Sequence, residues 1–223
     1  MSTWQAGAAF CVCVLSGVLI GELRVPRPRG AVRAAVLKPR RMRDYLPRRY
    51  APLLGGLALA LAALLAAALT GTRGMTGADG FIHTACSGGG EHLIPGRSVW
   101  AAATGATVCV VGGAGVCLLL IRRIVTRPAF PGGPSPDAAD HTLRRASAEA
   151  VTLVWGSLVA SSLLASAAIA GIYVDALSSA PCANQDVAAF SPLVYVTMAG
   201  AAAGLIYLLV RLTSLSAPNE AAA

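Results

Sequence analysis

The sequence predicts an all-α integral membrane protein, a bundle of five transmembrane helices forming one domain over residues 1–223. Of its 223 residues, 56% are hydrophobic and only 13% are charged, whereas soluble domains carry about 25% charged residues. The uncharged residues fall in runs of about 20, the length with which a helix crosses the hydrocarbon core of a bilayer. The basic residues are concentrated between these runs. Together these observations indicate a multi-pass membrane protein. Arg outnumbers Lys seventeen to one, and Ala and Gly are abundant, which indicates a high-GC bacterial gene and so a bacterial plasma membrane.

The first predicted span covers residues 4–23. Its apolar run has no Lys or Arg before it and no small-x-small cleavage site after it. A signal peptide has both features, so the segment is interpreted as an uncleaved span. The other four predicted spans cover residues 51–70, 99–121, 150–174 and 192–211, and each is free of charge in its interior.

The segment 22–50 determines the predicted orientation, because it carries ten of the eighteen Lys and Arg residues. Loops rich in these residues stay in the cytoplasm. With 22–50 and 122–149 as inner loops, 71–98 and 175–191 as outer loops and Arg211 at the inner end of the fifth span, sixteen basic residues lie inside and two outside. The sequence therefore predicts an external N-terminus and a cytoplasmic C-terminus.

The four prolines of the same segment forbid one continuous helix. The segment is predicted to lie on lipid headgroups, because each Arg near an anionic leaflet contributes up to about 1 kcal/mol. Nucleic acid is not an expected partner, since membrane insertion alone accounts for the net charge of +8. The residues predicted to contact anionic headgroups are Arg33, Lys38, Arg40, Arg41, Arg43, Arg48 and Arg49.

The fourth helix is predicted to begin in the cytoplasm, before its membrane span. Ser135 is placed as an N-cap and Pro136 as the first helical residue. His141, Arg144 and Arg145 are then expected on solvated turns of this extension.

Small residues at four-residue spacing predict helix-packing seams in three spans. They let helix backbones approach closely, and such faces hold the bundle together or dock a membrane partner or a second copy. The predicted packing residues are Ala101, Gly105, Cys109, Gly113, Cys117, Ser157, Ser161, Gly200 and Gly204.

Cys86 and Cys182 are predicted to form a disulfide, because each is alone in an outer loop on the oxidising side of the membrane. The outer loop also contains His83, Glu91 and His92, which include zinc-ligand types. Their spacing matches no structural zinc pattern, so a solvated loop is preferred over a metal site. No cofactor is predicted, and no nucleophile–base arrangement indicates an enzyme.

Two juxtamembrane segments, MRDYLPRRYAP before the second span and DHTLRRASAEAV leading into the fourth, carry a resemblance. Together with the span layout, they resemble uncharacterised multi-pass membrane proteins of high-GC actinobacteria. The resemblance implies no activity and no catalytic residues.

Three function classes follow. The preferred one is a non-catalytic membrane protein acting by interaction, as a scaffold, accessory or regulatory subunit. The second is a small transport or permease component, because spans two–three and four–five form two similar helical hairpins. The absence of charge inside the spans opposes ion-coupled transport. A membrane enzyme or metal-binding protein using the 83–92 loop ranks last.

Overall fold

The computed structural model describes residues 48–71, 81–85, 91–126, 136–179 and 190–216, together with Cys13 and Gly17. A short 3-10 turn, Arg48–Tyr50, leads into the first helix. The four helices of these ranges are α1 (Ala51–Gly71), α2 (Gly96–Thr126), α3 (Pro136–Ser179) and α4 (Ser191–Ser216).

All four helices are long and apolar enough to cross a membrane, and they match the second to fifth predicted spans. Their qualifying stretches are Arg48–Ala67, Ala103–Thr126, His141–Asp175 and Ser191–Leu215. The first predicted span, 4–23, lies outside the described residues except for Cys13 and Gly17, which are both helical.

Local sequence explains where the helices begin and end. α3 begins at Pro136, as predicted, and runs unbroken for 44 residues, or about 66 Å. Proline is favourable there because the first turn of a helix does not need its amide hydrogen. α4 ends at Ser216, and the Ala-Pro pair that follows disfavours further helix.

α3 is the central helix, and the other three pack around it. Of its membrane-crossing stretch, 39% is buried, against 22–28% for the other helices. α3 and α4 pack along a long interface, whereas α1 and α2 scarcely touch each other. The two predicted hairpins therefore differ in how closely their helices pack.

The buried apolar side chains of the described helices form two clusters, and α3 contributes to both. One joins α1, α3 and α4 and includes Leu57, Leu163 and Leu208; the other joins α2 to α3 through residues such as Leu120. Trp155 packs against both clusters, and its indole Nε1 donates a 3.3 Å hydrogen bond to the backbone oxygen of Val110. α3 is therefore held to its neighbours on two sides at mid-bundle.

The region predicted as an outer loop over 71–98 contains regular structure. Strands β1 (Phe81–Ala85) and β2 (Glu91–Pro95) form an antiparallel hairpin, and α2 follows β2 directly. β1 contains aromatic and β-branched residues, which favour strands, and the CSGGG sequence between the strands suits a reversal. The all-α prediction thus holds for the membrane helices but not for this hairpin.

Candidate functional site

Seven arginines gather at one end of the bundle, which is called the basic end below. It combines the start of α1, the end of α2, the first turns of α3 and the last turns of α4. Five of the seven are exposed, Arg211 is half-buried and Arg144 is buried. The seven residues are Arg48, Arg49, Arg122, Arg123, Arg144, Arg145 and Arg211.

At the basic end, Glu149 of α3 accepts hydrogen bonds from two residues of the 3-10 turn that leads into α1. Its Oε1 receives an ion-paired hydrogen bond from Arg49 and a 2.8 Å hydrogen bond from the Tyr50 hydroxyl. The Arg49 guanidinium also lies 4.8 Å from the centroid of the Tyr50 ring, within the range of a cation–π contact. The buried carboxylate is therefore satisfied by neighbouring side chains, as buried charges must be.

α4 contributes two residues to the same place. The Tyr207 ring meets the Tyr50 ring edge-on, with 6.5 Å between centroids. Arg211 lies one turn after Tyr207 in the same helix and is near enough to Tyr207, Tyr50 and Glu149 to interact with them electrostatically. Arg49, Tyr50, Glu149, Tyr207 and Arg211 are called the Arg–Tyr–Glu cluster below.

Arg144 forms a separate contact that corrects the sequence prediction. We expected His141, Arg144 and Arg145 on solvated turns, and His141 and Arg145 are indeed exposed, but Arg144 is buried. Its Nη1 donates hydrogen bonds of 2.8 and 3.2 Å to the backbone oxygens of Ile124 and Val125. These belong to the last turn of α2, whose carbonyls lack partners within their own helix. Arg144 therefore caps α2 from the neighbouring helix.

The predicted seam of α2 becomes more buried towards the basic end. Ala101 lies in the second turn of α2, Gly105 and Cys109 are half-buried, and Gly113 and Cys117 are buried. The seam therefore faces the bundle over its second half.

In α3, Ser157 is buried and Ser161 half-buried. Their hydroxyls donate to backbone oxygens of α3 itself, those of Leu153 at 2.9 Å and Leu158 at 3.0 Å. Both bonds lie within α3 and do not cross to a neighbouring helix.

The GxxxG motif of α4 divides between two environments. A β-carbon added to Gly204 would lie 3.4 Å from Leu57 of α1, whereas Gly200 is exposed and has open space around it. Gly204 therefore serves close packing inside the bundle, and Gly200 faces outward.

Several sequence predictions concern the far end of the bundle. The hairpin register pairs His83 with Leu93 and His92 with Thr84. Because consecutive strand residues alternate between faces, positions 83 and 92 belong to opposite faces of the hairpin. Cys86 and Cys182 lie outside the described residues, so their disulfide stays a prediction. The described cysteines, Cys13, Cys109 and Cys117, are all free.

Of the predicted headgroup contacts, Arg48 and Arg49 are described. Arg48 is exposed, and Arg49 contacts Glu149. The other five, Arg33, Lys38, Arg40, Arg41 and Arg43, lie outside the described residues.

Sequence reasoning missed Glu149, Tyr50 and Tyr207 as members of one site. A signal was available, because Glu149 is the one acidic residue between Asp140 and Asp175 and adjoins a predicted span. A carboxylate at that boundary requires a cationic or hydrogen-bonding partner. The sequence does not show which arginine meets it.

Comparison of the chain with protein-family models, curated proteins and solved structures finds no match. The function is therefore argued from the geometry of the bundle and its basic end.

Proposed function

We propose that this chain is a non-catalytic protein of the bacterial plasma membrane that acts by interaction, as a scaffold, accessory or regulatory subunit. It has five spans, including 4–23, with the N-terminus outside and the C-terminus in the cytoplasm. Its basic end then lies at the cytoplasmic leaflet and contacts anionic lipid, since Arg-rich ends remain on that side.

The observation that carries the proposal is the filled middle of the bundle. Leu61, Val159, Ala160, Leu163 and Ala201 are buried there in one apolar cluster. A transporter of this size needs a polar path or site near the membrane midplane. The described middle layer instead consists mainly of packed aliphatic side chains, and the hydroxyls of Ser157 and Ser161 bond within α3 itself. This favours interaction over transport.

The structure also contains a groove, but it does not supply a polar path through the bundle. It lies between α1 and α2 towards the far end of the bundle, and its volume is about 290 Å³. Leu69, Ala103 and Val108 are among its lining residues, and the lining is mainly apolar. Such a surface suits contact with acyl chains better than passage of a polar solute.

The interaction and transport proposals are distinguished by reconstitution of the full chain. Proteoliposomes loaded with potassium ions and small fluorescent solutes should leak at the rate of protein-free vesicles. Purification from the host in mild detergent should then yield a partner in fixed stoichiometry. A leak that increases with protein content, or protein that is consistently recovered without a partner, would overturn the proposal.

The orientation of the chain in the membrane is tested with reporters fused to its two ends. A reporter fused after Ala223 should read as cytoplasmic, and one fused before Met1 should read as external. Reporters on the same side of the membrane would contradict the five-span arrangement.

A further inference from the structure

We propose that the first span, residues 4–23, packs along the outward side of α1 and fills the groove between α1 and α2. This inference rests on the proposed function, which makes 4–23 a membrane span with its N-terminus outside. It goes beyond that function because it assigns the span a docking surface on its own chain.

The size of the side chains on the outward side of α1 is the first argument. Its exposed residues from Gly55 to Ala67 are all glycine or alanine, except Leu59. The exposed side of α4 instead carries large aliphatic side chains such as Leu193 and Val196. Membrane helices pack against one another through small residues, which let their backbones approach closely. The outward side of α1 therefore suits a neighbouring helix, whereas that of α4 suits lipid.

The groove between α1 and α2 is the second argument. The two helices scarcely touch each other, and the groove between them has a volume of about 290 Å³. Its lining residue Leu69 follows the exposed Ala62 and Ala66 at helical spacing, so the groove adjoins the outward side of α1. An apolar groove suits acyl chains or another helix, and the small residues beside it favour a helix.

The sequence of the first span fits this surface. The span runs inward and α1 runs outward, so the two helices are antiparallel and the outer half of the span lies at the level of the groove. In that half, Phe10 is the one large side chain between Gln5 and Cys11, and the others are alanine or glycine. An aromatic ring fills an apolar groove with a large contact area, while its small neighbours allow close approach of the backbones.

The same side of the first span is open. Cys13 and Gly17 are helical and exposed, and a β-carbon added to Gly17 would meet nothing within 4 Å. Residues three and four apart lie on one side of a helix, so Phe10, Cys13 and Gly17 share a side. Two surfaces of one chain are therefore unoccupied, and each has the small residues and the shape that the other requires.

The connection between the span and α1 shows which copy of the chain supplies the helix. Residues 24–47 join the end of the span to Arg48, at the basic end of the bundle. This length reaches well beyond the roughly 8–10 Å that separates the axes of packed helices. A tethered segment acts at an effective concentration of about millimolar, so the chain's own span is favoured over that of a second copy.

The test is disulfide cross-linking of the full chain in native membranes, with copper phenanthroline as the oxidant. Cys13 lies at the level of Ala62 when the helices are antiparallel. In a Cys11→Ser background, Ala62→Cys should cross-link to Cys13 at least about tenfold faster than Gly200→Cys, because a disulfide requires Cα atoms within about 7 Å. Gly200 is the matched control, since it is exposed at a similar depth on α4. Trypsin releases positions 13, 62 and 200 on separate peptides, so mass spectrometry identifies the joined pair.

Two further variants test the surface itself. Leu59→Cys, which is also on the outward side of α1, should cross-link to Cys13 faster than the α4 control. Adding Ala66→Leu to the Ala62→Cys chain should slow cross-linking several-fold, because a larger side chain keeps the backbones apart. Ala203→Leu, on the exposed side of α4, should leave the rate unchanged.

The outcomes separate this docking from the proposed function. If neither Ala62→Cys nor Leu59→Cys reacts faster than Gly200→Cys, the docking is overturned, and terminal reporters on opposite sides of the membrane would still support five spans. If the cross-linked product is a dimer, the span of a second copy occupies the surface and the assignment to the same chain is overturned. If the terminal reporters lie on the same side of the membrane, the first span does not cross it and both proposals fail.

Discussion

The hydroxyl of Tyr50 donates a 2.8 Å hydrogen bond to the Oε1 of Glu149, and this bond joins the start of α1 to α3 across 99 positions of the chain. Tyr50 is 1% exposed and Glu149 is 7% exposed. The bond therefore lies between buried groups, where a hydrogen bond to a charged acceptor contributes more than it does in water.

Loss of the Glu149 charge should destabilise the fold. Glu149→Gln should lower the free energy of unfolding by roughly 1–2 kcal/mol. The value is below that of a fully buried pair, because the Arg49 side chain is 54% exposed and solvent screens it. Unfolding in a denaturing detergent titration measures the change, and Arg48→Gln, on the exposed neighbour, is the matched control.

A double-mutant cycle isolates the Tyr50–Glu149 bond itself. Tyr50→Phe and Glu149→Gln should be non-additive, with an interaction energy of about 1 kcal/mol. Strict additivity of the two changes would show that the bond contributes nothing to stability.

The Arg144 cap should control the end of α2. Arg144→Gln removes the hydrogen bonds to the Ile124 and Val125 oxygens and should cost roughly 1–3 kcal/mol of stability. Amide hydrogen exchange in the last two turns of α2 should rise, since the end of a helix without partners frays. Arg145→Gln, one position along and exposed, should leave exchange there unchanged, and equal effects of the two variants would refute the cap.

Two glycines should respond in opposite ways to a methyl group. A β-carbon at Gly156 would overlap the Leu54 side chain and lie 3.2 Å from Leu208 Cδ1, whereas Gly200 has nothing within 4 Å. Gly156→Ala should therefore lower the free energy of unfolding by about 1 kcal/mol or more through overpacking. Gly200→Ala should be neutral or stabilising, because alanine favours a helix over glycine. Unfolding measurements on the two variants side by side test this, and a stabilising Gly156→Ala would contradict the packing of α1, α3 and α4.

The predicted Cys86–Cys182 disulfide has a direct assay. The purified chain should migrate differently under reducing and non-reducing conditions, and Cys86→Ser should abolish the difference. The bond would close a loop of about 95 residues and stabilise the fold by roughly 3–4 kcal/mol. Cys109→Ser, at a free and half-buried cysteine, is the control and should keep the shift. If the unaltered chain migrates identically under reducing and non-reducing conditions, the disulfide does not form.

Sequence alone predicted the four helices that are long and apolar enough to cross a membrane, and the start of α3 at Pro136. A membrane-spanning helix is marked by the composition of a single stretch of about twenty residues, and the start of α3 by the residues of its first turn. Both signals are local in the sequence, so neither requires knowledge of the tertiary structure. The hairpin over 81–95 was missed, because its strands are short and most of their stability comes from pairing with each other.

Only the tertiary structure decided which polar groups meet. Arg49 and Glu149 are 100 positions apart, Arg144 and Ile124 are 20 apart, and all four belong to sequences that look like ordinary juxtamembrane segments. Their pairing depends on which faces of α1, α2 and α4 turn towards α3. In helices that are apolar on all sides, the hydrophobic pattern does not mark that face. The same limit explains why two glycines of one motif, Gly200 and Gly204, have different surroundings. Span positions are local properties of this chain, whereas the Arg–Tyr–Glu cluster exists only because the packing of three helices around α3 brings its members together.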